Sequence, residues 1–262
     1  MKSDLPKVHI ISDLHLRFKP YTINPGDADF IVIAGDIDAR RYTSLRDQLN
    51  IIKKPTFAVP GNHEFYKRTI DSFHADKPNL GDYGTWLNRE CAEIQIRGHN
   101  IKLIGATLWT NIENELGKTS PELDAFCEKE SNDFRYIIRN KRMDRTPITT
   151  HDVRYLHARD VSFIDRELNK PFDGTKFVIT HFIPHRKSID SKYITNRFNA
   201  MYVTHLPELV NKADVWAHGH THHASCYETE SKTLVICNPR GYPGEDTGFK
   251  DGFSIDIHPK DK

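Results

Sequence analysis

The chain has 262 residues, 37% of them hydrophobic and 28% charged. That is long enough to bury a sizeable core without staples and too apolar for a disordered chain. Lysine and arginine total 37 against 36 aspartates and glutamates, a net charge of +1, which excludes a strongly basic nucleic-acid arm and an acidic tail but not a local basic patch.

The opening residues Met1-Lys2-Ser3-Asp4-Leu5-Pro6 carry no apolar leader segment. No stretch approaches the roughly 18 apolar residues of a membrane span. Cys91, Cys127, Cys226 and Cys237 lack C-x-x-C spacing, so buried reduced thiols are expected rather than a zinc knuckle or a disulfide framework. A soluble, cytoplasmic protein is the expectation.

Val8-His9-Ile10-Ile11-Ser12 and Phe30-Ile31-Val32-Ile33-Ala34 read as short strands buried on both faces. Residues 40–52 have helical spacing at Leu45, Leu49 and Ile52, and Pro55 ends that pattern before a third strand, Thr56-Phe57-Ala58-Val59. Strand, helix, strand at this pitch predicts βαβ units. Residues 69–91 read as helical with an interruption at 78–84, and 93–97 with 101–106 as a hairpin around Gly98-His99-Asn100. Residues 111–149 turn polar and read as an inserted helical, cap-like segment. Helical spacing resumes over 151–169, followed by a strand at Phe177-Val178-Ile179-Thr180, a helix over 206–213 and a strand at Val215-Trp216-Ala217. Short strands at 224–228, 233–237 and 252–257 complete the chain. One α/β domain over residues 1–262 with an insertion at 111–149 is the expected organisation.

Fifteen histidines are unusual, and their positions matter more than their number. Five clusters stand where predicted strands end: Asp13-Leu14-His15, Gly35-Asp36, Gly61-Asn62-His63-Glu64, Thr180-His181 and His218-Gly219-His220. Ligand sites in α/β sheets collect beyond the carboxyl ends of strands. Asp, His and Asn offer oxygen and nitrogen donors without sulfur, a set suited to Mn²⁺, Fe²⁺ or Zn²⁺ rather than to a thiolate zinc site. Asp13, His15, Asp36, Asn62, His181, His218 and His220 are more ligands than one ion takes while leaving room for substrate. Two ions sharing a carboxylate would accommodate them, and such a pair can clamp the attacking and leaving oxygens of an in-line displacement.

These five ordered blocks closely resemble the calcineurin-like metallophosphoesterase superfamily, and Asn238-Pro239-Arg240-Gly241-Tyr242 resembles its bacterial and phage branch. The resemblance implies an α/β fold, a two-sheet β-sandwich flanked by helices. It implies that Asp13, His15 and His220 hold one metal, that Asn62, His181 and His218 hold the other, and that Asp36 bridges them. It implies in-line attack by a metal-bridging hydroxide, with His63 over the phosphoryl group as proton donor or charge stabiliser. Mn²⁺ is favoured, with Fe²⁺, Zn²⁺, Ni²⁺ and Mg²⁺ as alternatives. The chain departs from the protein-phosphatase pattern G-D-x-x-D-R: in Gly35-Asp36-Ile37-Asp38-Ala39-Arg40 the second aspartate comes one residue early. Glu64 and Asp38 are then the candidates for orienting His63.

Other residues carry weaker signals. Arg240 is read as substrate-binding alongside Asn62, because a guanidinium forks onto phosphate oxygens; a loop salt bridge is the other reading. His222 and His223 read as solvated residues or outer-sphere groups, and His185 as a loop or substrate-contacting histidine. Arg135, Arg139, Lys141, Arg142 and Arg145 form a basic cluster, read as a solvated helix face rather than a polyanion guide. Trp109, Trp216, Tyr83 and Trp86 read as core or rim aromatics.

The leading expectation is a dinuclear metal-dependent phosphoesterase acting on a small phosphodiester or nucleotide. A nuclease using the basic cluster, a phosphomonoesterase or protein phosphatase, and a non-catalytic scaffold are the alternatives. A small phosphate ester is the expected partner; nucleic acid is not favoured, and no membrane is expected.

Overall fold

The computed structural model describes residues 4–38, 42–139 and 146–258. In chain order the elements are β1 (Lys7–Ile11), β2 (Phe30–Ala34), α1 (Thr43–Ile52), β3 (Thr56–Val59), α2 (Ile70–Ala75), β4 (Gly84–Trp86), β5 (Glu90–Ile96) and β6 (His99–Gly105). There follow α3 (Pro121–Glu130), α4 (Asp133–Tyr136), α5 (Thr150–Leu168), β7 (Thr175–Ile179), α6 (Pro207–Val210), β8 (Val215–His218), β9 (Ser225–Glu228), β10 (Leu234–Cys237) and β11 (Ser254–Asp256).

The strands form two mixed sheets, ordered β11-β1-β2-β3-β4 and β5-β6-β7-β8-β10-β9. In the first, β1 to β4 are parallel and β11 adds an antiparallel edge. In the second, β6, β7, β8 and β10 are parallel between antiparallel edges β5 and β9. One apolar cluster joins Val8, Ile10, Phe30 and Val32 of the first sheet to Leu103, Phe177, Ile179 and Ile236 of the second. The near-continuous apolar runs of the parallel strands follow from this: their other faces pack under helices in a second cluster with Leu45, Leu49, Phe163 and Ile164. This is the helix-flanked sandwich that the resemblance implied.

Helix α5 shows how local signals and packing agree. Thr149 accepts from the Asp152 backbone N–H while the Asp152 carboxylate accepts from that of Thr149, a reciprocal cap. Val153, Leu156, Asp160, Phe163, Ile164 and Leu168 then fall on one buried face. Asp160 sits in that face because Arg89 Nη1 at 2.7 Å and the Leu108 backbone N–H at 2.8 Å donate to it.

Several sequence expectations change. The helical reading of 69–91 fails after Ala75: Gly84–Trp86 completes the edge of the first sheet beside β3, and Glu90 and Cys91 open β5. Pairing with the edge of β3 outweighs local spacing there. The hairpin turns at Arg97 and Gly98, both at positive φ, so His99 and Asn100 belong to β6. The helix at 206–213 contracts to α6. Residues 40 and 41 of the first predicted helix lie outside the described residues, and α1 ends at Lys53 in the left-handed conformation. All four cysteines are unpaired, but only Cys127 and Cys237 are buried; Cys91 and Cys226 lie exposed on the edge strands β5 and β9. Among the described residues no helix is long and apolar enough to cross a membrane.

Within 111–149, α3 and α4 are followed by isolated bridges from Ile137 to Tyr66 and from Ile138 to Thr69. They fasten this segment beside the turn that carries His63.

Candidate metal centre

The carboxyl ends of β1, β2, β3, β7 and β8 converge, and Ser12 and Pro239 form a parallel bridge between the two sheets just beyond them. The loops are cross-tied by their own backbones. Asp13 N–H donates to Gly35 O, His15 N–H to Asp36 O, and Gly219 N–H to His181 O, each at 3.0 Å. Asp13, His15, Asp36, His220 and His222 all have φ between 44° and 68°. A non-glycine residue held there costs of order 1–3 kcal/mol, and such strain concentrates at functional sites. Gly35 permits the approach of β2 to β7: at φ 84° it lies so close to the His181 ring that a methyl group would overlap it.

Two groups of side chains converge, Asp13 with His15 and His222, and Asp36 with His181 and His220, and a third, His15 with Asp36 and His63, overlaps both. Asp36 links them, its Oδ2 3.8 Å from His15 Nε2 and its Oδ1 3.4 Å from His181 Nε2. Asn62 Oδ1 joins the second group 3.1 Å from His181 Nε2. His15 Nε2 and His222 Nε2 face one another at 3.2 Å, and His222 Nε2 is 3.4 Å from Asp13 Oδ1.

His218, expected as a ligand, is not in either group. It is the last residue of β8, and its ring turns into the protein, Nε2 lying 2.8 Å from Ser188 Oγ and Nδ1 3.0 Å from Gly219 O. His222 takes the place expected for a further histidine, and His220 sits with Asp36 and His181 rather than with Asp13 and His15. The sequence contains two overlapping H-x-H patterns, His218-x-His220 and His220-x-His222. The signal separating them is Gly219: a side chain there would meet Asp13 Oδ2 and Ala34 O at 2.7 Å. The glycine that must touch the site precedes the pair that serves it.

The electrostatics match the arrangement. Burial opposes charge on Asp13 and Asp36, but the surrounding imidazoles outweigh it and hold both carboxyls well below the usual range. Burial lowers His15 to about 4 and His220 to about 3, leaving neutral rings with free lone pairs. Burial opposes charge on His181 and His222 too, yet Asp36 raises the first and Asp13 the second, each to about 9. Outer hydrogen bonds aim the rings: His181 Nδ1–H donates to Ala34 O at 2.8 Å, and His222 Nδ1 lies 2.6 Å from Glu245 Oε2. Both leave Nε2 directed inward, as metal-ligating histidines require.

His63 stands beside the centre. Its Nε2 is 3.7 Å from Asp36 Oδ2 and 3.2 Å from the Tyr242 hydroxyl, and its ring stacks on Tyr66 at 4.4 Å. Glu64 does not orient it. That carboxylate is buried and accepts from the backbone N–H groups of Asp36 at 2.9 Å, Ile37 at 3.0 Å, Asp38 at 3.2 Å and Gly61 at 2.7 Å. It ties the loop after β2 to the turn after β3.

Arg240 is also committed elsewhere. Its guanidinium donates to Leu14 O at 2.7 Å, Lys19 O at 2.9 Å and Pro20 O at 3.1 Å, and lies 5.0 Å above the Tyr21 ring. It clamps the loop that carries His15 and does not line the cleft over the centre, and among the described residues it forms no salt bridge. Tyr242, two residues on, is the member of that stretch that reaches the site, stacked on His15 at 4.2 Å. His185 packs against His205 at 4.7 Å. Of the basic cluster, Arg139 pairs with Asp152, while Lys141, Arg142 and Arg145 lie outside the described residues.

A cleft of ≈ 1230 Å³ opens over the centre, with Asp36, Asn62, His63, His220 and His222 in its lining. Two buried carboxylates and four imidazoles with convergent nitrogens, plus a carboxamide oxygen, form a hard-to-borderline donor set. Asp13, His15, Asp36 and His222 fit one divalent ion, and Asp36, Asn62, His181 and His220 a second.

The sequence matches the calcineurin-like phosphoesterase family over residues 6–224. The chain belongs to that family: it is a metallophosphoesterase, a hydrolase of phosphate esters. Among solved structures it is similar to phosphopantetheinyl hydrolase from Mycobacterium tuberculosis, with a TM-score of 0.70 and 17% identity over 92% of this chain and 91% of that one. It is also similar to a dimetal phosphatase from Danio rerio, with a TM-score of 0.51 and 11% identity over 89% of this chain and 87% of the other. At these identities the likeness is one of fold. No curated protein matches the sequence.

Proposed function

We propose that the chain is a dinuclear metal-dependent phosphodiesterase that cleaves a small phosphodiester or nucleotide, with Mn²⁺ as the favoured ion and the cytoplasm as its compartment. The observation that carries this reading is the pair of Asp/His groups linked by Asp36, with His63 beside them, on the floor of a cleft of ≈ 1230 Å³. Two divalent ions there would supply Lewis-acid charge for the phosphoryl oxygens and an activated water near neutral pH.

The chain's own residues do the rest. Asn62 turns its Oδ1 towards the second group, beside His181 Nε2, while its Nδ2 donates to Asp133. His63, fixed between Tyr66 and Tyr242, holds a proton at Nε2 for the departing oxygen. Phe18, Tyr136, Tyr193, Phe198 and Tyr202 are exposed and line the cleft, offering ring faces to an organic substituent. A diester needs room for two such substituents. Residues 130–133 and Tyr136 of the 111–149 segment form one wall, which supports a substrate-selecting cap.

The described lining sets Asp36, Glu130, Asp133, Asp190, Glu245 and Asp246 against Arg17, Lys67 and Lys192. A path for a polynucleotide would need the opposite balance, so the nuclease reading is not favoured. Exposed, unpaired Cys91 and Cys226 accord with a reducing compartment.

The test is paired hydrolysis of bis-p-nitrophenyl phosphate and p-nitrophenyl phosphate by metal-stripped protein before and after Mn²⁺ is restored. Metal-dependent preference for the diester is expected. Preference for the monoester would replace this reading with a phosphatase.

A further inference from the structure

Glu64, the carboxylate of the Gly61–Glu64 block, is committed to backbone donors and does not orient His63. The carboxylate that reaches this corner comes from the 111–149 segment. Asp133, at the start of α4, is 9% exposed and lines the cleft.

Its Oδ1 accepts two hydrogen bonds, from Asn62 Nδ2 at 2.8 Å and from the Tyr66 hydroxyl at 2.8 Å. The first fixes which end of the Asn62 carboxamide faces the centre. With Nδ2 bound to a carboxylate, which can only accept, Oδ1 must point the other way, and it does, towards His181 Nε2. The second anchors the ring against which His63 is stacked, with an interplanar angle of 23°. One oxygen therefore governs both a metal-ligating oxygen and the face of the proton donor.

We infer that Asp133 is the positioning residue of this site, setting the amide orientation of Asn62 and, through Tyr66, the seat of His63. The inference rests on the phosphodiesterase reading for its kinetic arm only. The 111–149 segment is then part of the catalytic apparatus, because the site is incomplete without its carboxylate. Asp133→Asn would break the device, since an amide there can pair with Asn62 in either orientation.

The experiment has two arms. In metal-free protein, exchange of the Asn62 carboxamide protons with solvent is followed by NMR; they are expected to be protected, and Asp133→Asn is expected to abolish that protection. With Mn²⁺ restored, Asp133→Asn is expected to lower kcat on aryl phosphodiesters by about 10- to 100-fold, the range for removing an outer partner of a metal ligand, with KM unchanged. The loss should grow as the leaving group worsens, and that trend should vanish in a His63→Ala background. Tyr66→Phe, which keeps the stacked ring and drops only the hydroxyl, is expected to show the same trend at smaller amplitude.

Unprotected Asn62 protons in the wild type, or equal losses with and without His63, would overturn the inference. A wild type inactive on every diester while Asn62 stays protected would overturn the phosphodiesterase reading and leave the positioning of Asn62 standing.

Discussion

An imidazole serves a divalent ion only when its lone pair is aimed and its other nitrogen is occupied. His222 meets both conditions through Glu245 and Asp13, whereas both nitrogens of His218 are engaged by Ser188 and Gly219. His222→Ala should therefore lower the bound metal from two equivalents to one and abolish most turnover. His218→Ala should keep both equivalents and instead lose roughly 1–3 kcal/mol of stability, the cost of orphaning buried partners. Metal analysis with urea denaturation checks both, and a lost ion in His218→Ala would reverse the assignment. Of the seven side chains that converge, six were expected from residue type and order alone. The seventh was not, because two H-x-H patterns overlap by one histidine, and only the left-handed turns at His220 and His222 decide which rings face inward.

At the scale of elements, the site is a set of loops held by side chains committed to backbone groups. Glu64 binds the loop after β2 to the turn after β3 through four backbone donors. Arg240, beyond β10, binds the loop after β1 through three carbonyls. Arg240→Ala removes charge-assisted bonds worth about 1.5–3 kcal/mol each at most. It should lower stability and weaken the ion next to His15 while leaving KM for a diester unchanged. Chemical denaturation with steady-state kinetics tests this; a raised KM at intact stability would restore a substrate contact. A guanidinium near a predicted site reads alike in sequence whether it meets phosphate or carbonyl. Helix α5 was legible because its cap and its apolar stripe are local; β4 was not, because its partner β3 lies 28 residues upstream by the paired register.

For the whole molecule, charge and metal are linked. His181 and His222 are raised to about 9 in the metal-free protein against 6.5 when unfolded. A raised base favours the folded state below pH 6.5, and that contribution is lost as pH climbs from 6.5 to 9. Binding an ion requires both rings to shed the inward proton, so metal affinity rises over the same interval. Metal-free protein should thus lose thermal stability from pH 6.5 to 9 while the increment conferred by Mn²⁺ grows. Thermal denaturation with chelator and with Mn²⁺ measures both, and calorimetry in buffers of different ionisation enthalpy counts the released protons. A metal increment independent of pH would contradict the assigned protonation. The sequence by itself determined the chemistry and the family. Apolar runs of strand length each ended in an Asp, Asn or His, and that order survives any arrangement of the loops. Tertiary structure alone decided which histidines converge, what Arg240 clamps and that Asp133 reaches the site, because these depend on contacts between segments up to 226 residues apart, where neither periodicity nor local propensity carries a signal.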